Sequence, residues 1–459
     1  MPPQFGTSGL RGLVTDLTPA LVTDYVRAFA ATCPMGTGLF VAHDLRQSSP
    51  ALAAVVAQAG QAAGLAVTRC GPAPTPALAL AAMQAGAAAV MVTGSHIPAD
   101  RNGLKFYTPT GEITKDQEAA ILTGLGAART VLSGPQPQIM DVGPAYSARY
   151  IAAFGSGLSG LRLGLYAHSA VGRDLMADLL TALGAEVVML GRSADFIPVD
   201  TEAVDSDTKA SLAAWAHDHA IAAILSTDGD GDRPLMTDES GAVIAGDIMG
   251  QITAACIGAR HVVTPVSSNS GVQDLGFAQV RRTRIGSPHV IAAMQALGGD
   301  VVGYEANGGF LLGFDAQGPR GQLPALMTRD AMLPMLAVLA AGKGAPVSRL
   351  IAAQPARFTA ADRLQQVPTD ASTALVAALR DNPQDRATFV AALGLVERSI
   401  DLTDGLRIAC TDGRIVHLRP SGNAPELRLY VEAATPAAAA LTLQAGLTLL
   451  RDMVDRLVR

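Results

Sequence analysis

Ile221-Ala222-Ala223-Ile224-Leu225-Ser226-Thr227-Asp228-Gly229-Asp230-Gly231-Asp232-Arg233 passes within a few residues from an apolar run to alternating aspartate and glycine. The run 221–226, rich in branched side chains, predicts a strand covered on both faces. Three carboxylates placed this close repel one another unless a hard cation sits among them. An oxygen-only donor set suits Mg²⁺, which takes few carboxylates and completes its shell with phosphate or water. Two plainer readings compete: a solvated acidic turn, or a calcium loop with Asp at relative positions 1, 3 and 5 and Glu239 at 12. Against the calcium loop, Arg233 stands where that loop needs Gly, Pro234 follows, and the flanks read as strands rather than helices.

Working outward, the same order of elements precedes this cluster and recurs on both sides of it. In the central unit, 161–167 reads as a strand, 172–183 as a helix stopped by Gly184, 186–190 as a strand and 207–219 as a helix. Upstream, 39–42 reads as a strand, and Ser49-Pro50 offers an N-cap with Pro at the first helical position. A strand at 65–70, a helix from Thr75-Pro76 to near Gly86 and a strand at 87–92 then lead into Thr93-Gly94-Ser95-His96. Downstream, a helix near 247–258, a strand at 261–265, a helix near Gly271, a strand near 280–285 and a helix at 288–297 precede a strand at 300–304, which enters Glu305-Ala306-Asn307-Gly308-Gly309. Strands alternating with helices predict parallel sheets, and ligands of such sheets bind beyond the carboxyl ends of the strands. All three polar clusters fall there. The tail departs from the plan, with a hairpin turning at Thr411-Asp412-Gly413, a strand at 427–431 and a long helix from about Pro436. The predicted fold is α/β with four domains around a central cleft. Three are related units with mixed or parallel sheets, at 1–142, 143–243 and 244–352, and the fourth is an α+β domain at 353–459.

Ser95 lies at the mouth of its unit's sheet, with Asn102-Gly103-Leu104-Lys105 behind it. As a hydrolase nucleophile it would need His96 as base, but neighbours in an extended segment point to opposite sides. A phosphorylated serine explains more: its oxygens supply a further metal ligand, and the metal offsets the combined negative charge. Lys105 then serves as proton donor or acceptor, or as a charge clamp. Arg419-Pro420-Ser421-Gly422-Asn423 reads either as an anion cradle, with Arg428 as a further donor, or as an ordinary loop after a hairpin. Gly155-Ser156-Gly157-Leu158-Ser159-Gly160 matches a dinucleotide fingerprint but precedes a strand instead of following one, and reads as a linker.

Composition bounds the rest. Across 459 residues, 49% are hydrophobic and 16% charged, which describes a chain that buries surface. The aromatic share of 4% leaves Ala and Gly to do much of the packing. A net charge of −6 argues against nucleic-acid partners, and Arg281-Arg282-Thr283-Arg284 reads as a solvated strand edge. Cys33, Cys70, Cys256 and Cys410 form no close pair, so neither a disulfide framework nor a zinc site is expected. Apolar stretches are interrupted by Gln84, Arg329, Asp330 and prolines, and Met1-Pro2-Pro3-Gln4-Phe5 lacks the pattern of a secretory leader. A soluble cytoplasmic protein is expected, with no membrane partner.

Phe5-Gly6-Thr7-Ser8-Gly9-Leu10-Arg11-Gly12, the Thr-Gly-Ser-His loop, Asp-Gly-Asp-Gly-Asp-Arg and Arg-Pro-Ser-Gly, in this order and spanning nearly the whole chain, resemble the α-D-phosphohexomutases. The resemblance implies that Ser95 carries a phosphoryl group and, with Asp228, Asp230 and Asp232, holds Mg²⁺. It implies that Arg11, His96, Lys105 and Arg233 line the reaction centre. Glu305 and Asn307 would meet sugar hydroxyls, and Arg419, Ser421, Gly422 and Asn423 would bind the phosphate already on the substrate. The implied reaction interconverts hexose 6-phosphate and hexose 1-phosphate, with a hexose 1,6-bisphosphate as intermediate and activator. The protein would act on small sugar phosphates as a monomer or homodimer. Asn307 replaces the family's usual Ser, Gly309 stands where many members have His or Asn, Ile97 replaces a common Asn, and Asn423-Ala424 replaces Thr-Glu. Because the sugar loop matches neither glucose-only nor glucosamine-specific patterns, mannose is the first expectation, with glucose and glucosamine as alternatives. A magnesium-dependent sugar phosphatase and a non-catalytic sugar-phosphate sensor are the competing functions. His289 is a helix-start residue or a cleft residue.

Overall fold

A computed structural model describes residues 3–6, 9–128, 130–342, 344–421 and 425–458. Its contacts divide the chain into two compact units, one of Met1–Val263 with Gly286–Ala353, the other of Thr264–Ile285 with Gln354–Arg459.

Among the described residues, the larger unit holds three main sheets and a two-stranded ribbon, Ala316–Gln317 with Gln322–Leu323. In the first, Leu39–His43 lies parallel to Ala88–Val92 on one side and to Val67–Pro72 on the other. Strand Arg101–Thr108 returns antiparallel along Ala88–Val92, and the strand Gly9–Leu13 pairs antiparallel with it in turn. The second sheet runs Glu186–Leu190, Arg162–Tyr166, Ala223–Thr227, Pro234–Met236, parallel except for the last strand. In the third, residues 261–263 run parallel to Val301–Tyr304, and Phe310–Leu312 and Leu326–Asp330 follow antiparallel. Each unit thus closes with a strand, a polar loop and an antiparallel return. The three strands that deliver the loops, Ala88–Val92, Ala223–Thr227 and Val301–Tyr304, are buried at every position, as strands covered on both faces should be.

Small side chains allow this layering. Helix Thr75–Gln84 is buried around most of its circumference, with Ala77, Leu78, Ala79 and Ala82 in the core. Helix Ser49–Ala62 starts at the expected place but without the expected cap: Ser48 is the N-cap residue, and the Ser49 hydroxyl donates to Asp44 instead. Near Gly271 the structure has a 3₁₀ turn, Ser270–Asp274, rather than an α-helix.

In the second unit, an antiparallel sheet runs Phe358–Gln365, Glu426–Ala433, Ile415–Pro420, Leu406–Cys410, Glu397–Asp401. Leu375, Leu379, Phe389, Leu443 and Leu450 from its helices meet Leu406, Ile408, Leu418, Leu427 and Val431 in one core. Segment Thr264–Ile285 joins this unit: Ser270 N–H donates to Glu432, and Ile285 N–H to Asp404. Of the basic run, Arg281 is exposed as expected, while Arg282 is half-buried and donates to the carbonyls of Pro265, Ser268 and Asn269. No helix among the described residues is long and apolar enough to cross a membrane.

Candidate active site

Within the larger unit, the loops after strands Ala88–Val92, Ala223–Thr227 and Val301–Tyr304 hold the predicted residues. Ser95 is fully buried and adopts a left-handed backbone, φ 55°. For a residue with a Cβ this costs about 1–2 kcal/mol. The Ser95 N–H donates to Thr93 Oγ1 at 2.8 Å, which helps hold the turn. Ser95 Oγ donates to Asp228 Oδ2 at 2.5 Å.

The left-handed turn overturns one expectation. Residues 95 and 96 do not point to opposite sides: Ser95 Oγ lies 3.3 Å from His96 Nδ1, because the segment is not extended. The pair still makes a poor nucleophile and base. Arg233 Nη1 donates to the same His96 Nδ1 at 3.0 Å, which leaves that nitrogen an acceptor already in use. Burial, then the Arg233 and Arg11 charges, push the imidazole far below its ordinary range, so it stays neutral.

The aspartate loop is a tight turn between antiparallel strands, which removes the calcium-loop reading with its flanking helices. Glu239, the twelfth residue of that reading, binds Ser348 instead. Gly231 sits at φ +78°, where glycine is favoured. Gly229 is tight for another reason: a Cβ there would stand 2.9 Å from the Ser95 carbonyl oxygen and 3.0 Å from the Phe196 ring. Asp228, Asp230 and Asp232 are fully buried, with ligand oxygens within 4.8 Å of one another. Lys105 Nζ donates to Asp230 Oδ2 and Asp232 Oδ2 at 2.6 Å each, and Thr75 Oγ1 donates to Asp230. The opposite oxygens, Asp230 Oδ1 and Asp232 Oδ1, are buried without a hydrogen-bond partner. An oxygen-only donor set, two orphaned carboxylate oxygens and the Ser95 hydroxyl beside them suit a hard divalent cation. The electrostatics agree. Burial, then Asp230 and Asp232, push the Asp228 carboxyl well above the usual carboxylate range. At Asp232 burial acts in the same direction, but Arg329, Lys105 and Arg233 outweigh it and hold the group below that range.

Arg11 lies on strand Gly9–Leu13 beside Gly103, and burial followed by the Arg233 charge lowers its guanidinium to about 10. Glu305 and Asn307 are buried in the loop after Val301–Tyr304, where Asn307 Oδ1 accepts from Gly309 N–H and the Asn307 carbonyl from Thr201. Sequence reading missed Arg329. This side chain, 2% exposed, lies with Nη2 2.7 Å from Asp232 Oδ2, Nη1 3.4 Å from Glu305 Oε2 and Nε 3.7 Å from Glu112 Oε1. It ties the aspartate loop to the loop at 305–309.

In the C-terminal unit, Arg419 Nε donates to Asp404 Oδ2 at 2.9 Å, and Ser421 is buried. Gly422 and Asn423 lie outside the described residues. Arg419 pairs with Arg428 across the sheet, and Arg428 with Arg363 on the next strand. Like charges placed directly opposite repel. Asp404 and Glu426 offset part of the row, with Arg363 3.2 Å and Arg428 3.4 Å from Glu426. Arg363 was missed because its strand carries no apolar period; the row as a whole brings three guanidinium groups onto neighbouring strands.

The comparisons with known proteins agree with this layout. Four family descriptions match in order: phosphoglucomutase/phosphomannomutase alpha/beta/alpha domain I at residues 2–130, domain II at 148–241, domain III at 237–358 and the C-terminal domain at 363–448. A phosphomannomutase of Sinorhizobium fredii is 44% identical, covering 98% of this chain and 99% of its own. One of Salmonella muenchen is 42% identical, covering 94% and 91%. Among solved structures, a phosphoglucomutase/phosphomannomutase family protein of Burkholderia thailandensis has the same fold, with a TM-score of 0.79 at 22% identity over 97% of both chains. The chain belongs to the phosphoglucomutase/phosphomannomutase family, with three α/β domains and a β-rich C-terminal domain.

Proposed function

We propose that this chain is a phosphohexomutase that interconverts mannose 6-phosphate and mannose 1-phosphate through a phosphoserine at Ser95. The observation that carries the reading is the buried Ser95 hydroxyl on Asp228, at the edge of a carboxylate trio with two unpartnered oxygens. Charge counting supports it. Asp228, Asp230, Asp232, Glu305 and Glu112 face Arg11, Lys105, Arg233 and Arg329, five potential negative charges against four positive. A phosphoryl group adds close to two negative charges, and a divalent cation brings the balance back. Asp228, Asp230 and Asp232 with Ser95 would hold Mg²⁺, which supplies charge neutralisation at the phosphoryl oxygens.

The rest of the work falls to the chain. Arg419, Ser421, Gly422, Asn423, Arg428 and the newly found Arg363 hold the phosphate already on the sugar, and Glu305 and Asn307 meet its hydroxyls. As the sugar hydroxyl attacks, its O–H bond and the Ser95 Oγ–P bond break, and a sugar O–P bond and a serine O–H bond form. Protons therefore balance within the half-reaction. Asp228 Oδ2, at hydrogen-bond distance from Ser95 Oγ, is suited to hold the proton on the serine side. Lys105, donating to two carboxylates, acts as an ammonium clamp rather than a base. His96 and Arg233 act together, the neutral ring orienting the guanidinium towards the reacting centre. The resulting hexose 1,6-bisphosphate turns around and returns its other phosphate to Ser95. Burial of the serine favours return over loss to water.

Mannose is favoured by the two relatives above 40% identity, both phosphomannomutases. The domains are taken as 1–142, 143–243, 244–352 and 353–459, in a cytoplasmic monomer or homodimer without nucleic-acid or membrane partners. The deciding experiment assays mannose, glucose and glucosamine 1-phosphates side by side with their 1,6-bisphosphates and follows Ser95 by intact mass. Interconversion fastest with mannose, together with an 80 Da adduct lost in Ser95→Ala, is expected (an order-of-magnitude mass of about one phosphoryl group). Release of inorganic phosphate without interconversion would instead assign a phosphatase.

A further inference from the structure

Outside the residues assigned above, Arg46 is buried to 1% exposure, and every one of its side-chain N–H groups is used. Nε donates to Asp44 Oδ2 at 3.2 Å. Nη1 donates to the carbonyls of Pro98 at 2.7 Å and Arg101 at 3.0 Å. Nη2 donates to the carbonyls of Ser95 at 2.9 Å and Ile97 at 2.6 Å. The guanidinium packs on Gly94, where a Cβ would come within 2.6 Å of Cζ. Asp44 is itself fixed, accepting from Arg46 N–H, Ser49 Oγ and Thr93 Oγ1, and the same Thr93 oxygen accepts the Ser95 N–H. One planar fork thus gathers four carbonyls of the loop that holds Ser95 in its left-handed turn.

The fork also reaches the second domain. Its Cζ lies 4.0 Å from the centroid of the Phe196 ring, and that ring borders Gly229 of the aspartate loop. A guanidinium over an aromatic face is attractive, the more so when both are desolvated. We infer that Arg46 and Phe196 form a clamp that sets the Ser95 turn and its distance from the aspartate loop, so that Arg46 is a positioning residue for phosphoryl transfer. The inference rests on the proposed mutase reading for its kinetic consequence, but not for its structural one. Lysine cannot replace the fork, because an ammonium has no planar array to span four carbonyls.

The test compares Arg46→Lys and Phe196→Leu with the wild type in the full chain. Hydrogen–deuterium exchange over residues 93–101 is expected to quicken by about tenfold or more in Arg46→Lys, with exchange in the C-terminal unit unchanged. In the mutase assay kcat is expected to fall about 100-fold with KM within about twofold, since a misplaced reacting group costs rate rather than substrate binding. Phe196→Leu, at a half-buried site that tolerates the change, is expected to lose about three- to tenfold in kcat with the same split. It decides the matter if Arg46→Lys does not fold. Unchanged exchange over 93–101, or a kcat within about threefold of wild type in Arg46→Lys, would overturn the clamp. If the wild type interconverts no hexose phosphate, the mutase reading falls while the exchange result still judges the clamp.

Discussion

Gly229→Ala tests the site with a single methyl group. Gly229 does not occupy the left-handed region, so alanine is free to adopt its backbone conformation. The added Cβ would stand 2.9 Å from the Ser95 carbonyl oxygen and 3.0 Å from the Phe196 ring, where ordinary contact begins at 3.4 Å. The oxygen is main chain and also accepts from Arg46, so it has little freedom to yield. The two loops must therefore part by about 0.5 Å, which moves Ser95 Oγ away from Asp228 by a similar amount. A displacement of 1 Å can cost about 100-fold in rate, so half of that predicts a loss of about tenfold, near 1.4 kcal/mol of barrier. Steady-state kinetics on mannose 1-phosphate, with saturating bisphosphate, should show the loss in kcat while KM stays within about twofold. Thermal unfolding run alongside should show at most a modest shift. A kcat equal to wild type would refute the argument that the two loops must keep their separation for transfer, and a change confined to KM would place the fault in substrate binding instead.

Ser95→Ala and Asp230→Asn should each lower kcat more than about 100-fold, near 2.7 kcal/mol, and near-normal turnover in either would move the chemistry elsewhere. Arg329→Met leaves Asp232 and Glu305 without their shared partner in a buried site, so unfolding in urea should show a loss of about 3–5 kcal/mol; a loss below 1 kcal/mol would mean that Lys105 alone satisfies Asp232. Arg363→Ala should raise KM for hexose phosphates about fivefold with little change in kcat, a pattern that an exposed, uninvolved arginine would not give. For metal-free protein, the raised Asp228 carboxyl means that the folded state binds more protons than the unfolded state, above the ordinary carboxylate range and up to its raised pKa. Stability should therefore fall as pH rises through that window. Titration calorimetry with Mg²⁺ in buffers of different ionisation enthalpy should then detect proton release, and the absence of release would show Asp228 already ionised.

The repeat that defines the fold was readable because each central strand is a short apolar run ended by a polar, glycine-containing loop, a pattern set by burial on both faces. Strands at the sheet margins were not. Phe358–Gln365 exposes most of its residues and has no apolar period to read, and with it Arg363 went unseen. Arg101–Thr108 was hidden differently. Asn102-Gly103 resembles a turn, yet Gly103 lies within a strand where a Cβ would stand 2.2 Å from the Leu10 carbonyl oxygen. A glycine inside an otherwise strand-like run is a sign of such backbone approach, and it could have been read that way.

Arg46 and Arg329 mark a different limit. Both are arginines inside the larger unit, and most of what they bind lies far along the chain: main-chain carbonyls of a loop in one case, carboxylates from three separate segments in the other. No spacing rule connects a guanidinium to a carbonyl some fifty positions away, because the partner is backbone and has no identity in the sequence. The left-handed Ser95 follows from the same fact. Nothing in Thr-Gly-Ser-His requires a positive φ at the serine, and the conformation stands because Thr93 and Arg46 hold the groups on either side of it. The expectation that Ser95 and His96 diverge failed for this reason, since it assumed the locally preferred extended chain. Chemistry in this site is thus carried by residues whose types were legible, in a geometry imposed by residues whose roles were not.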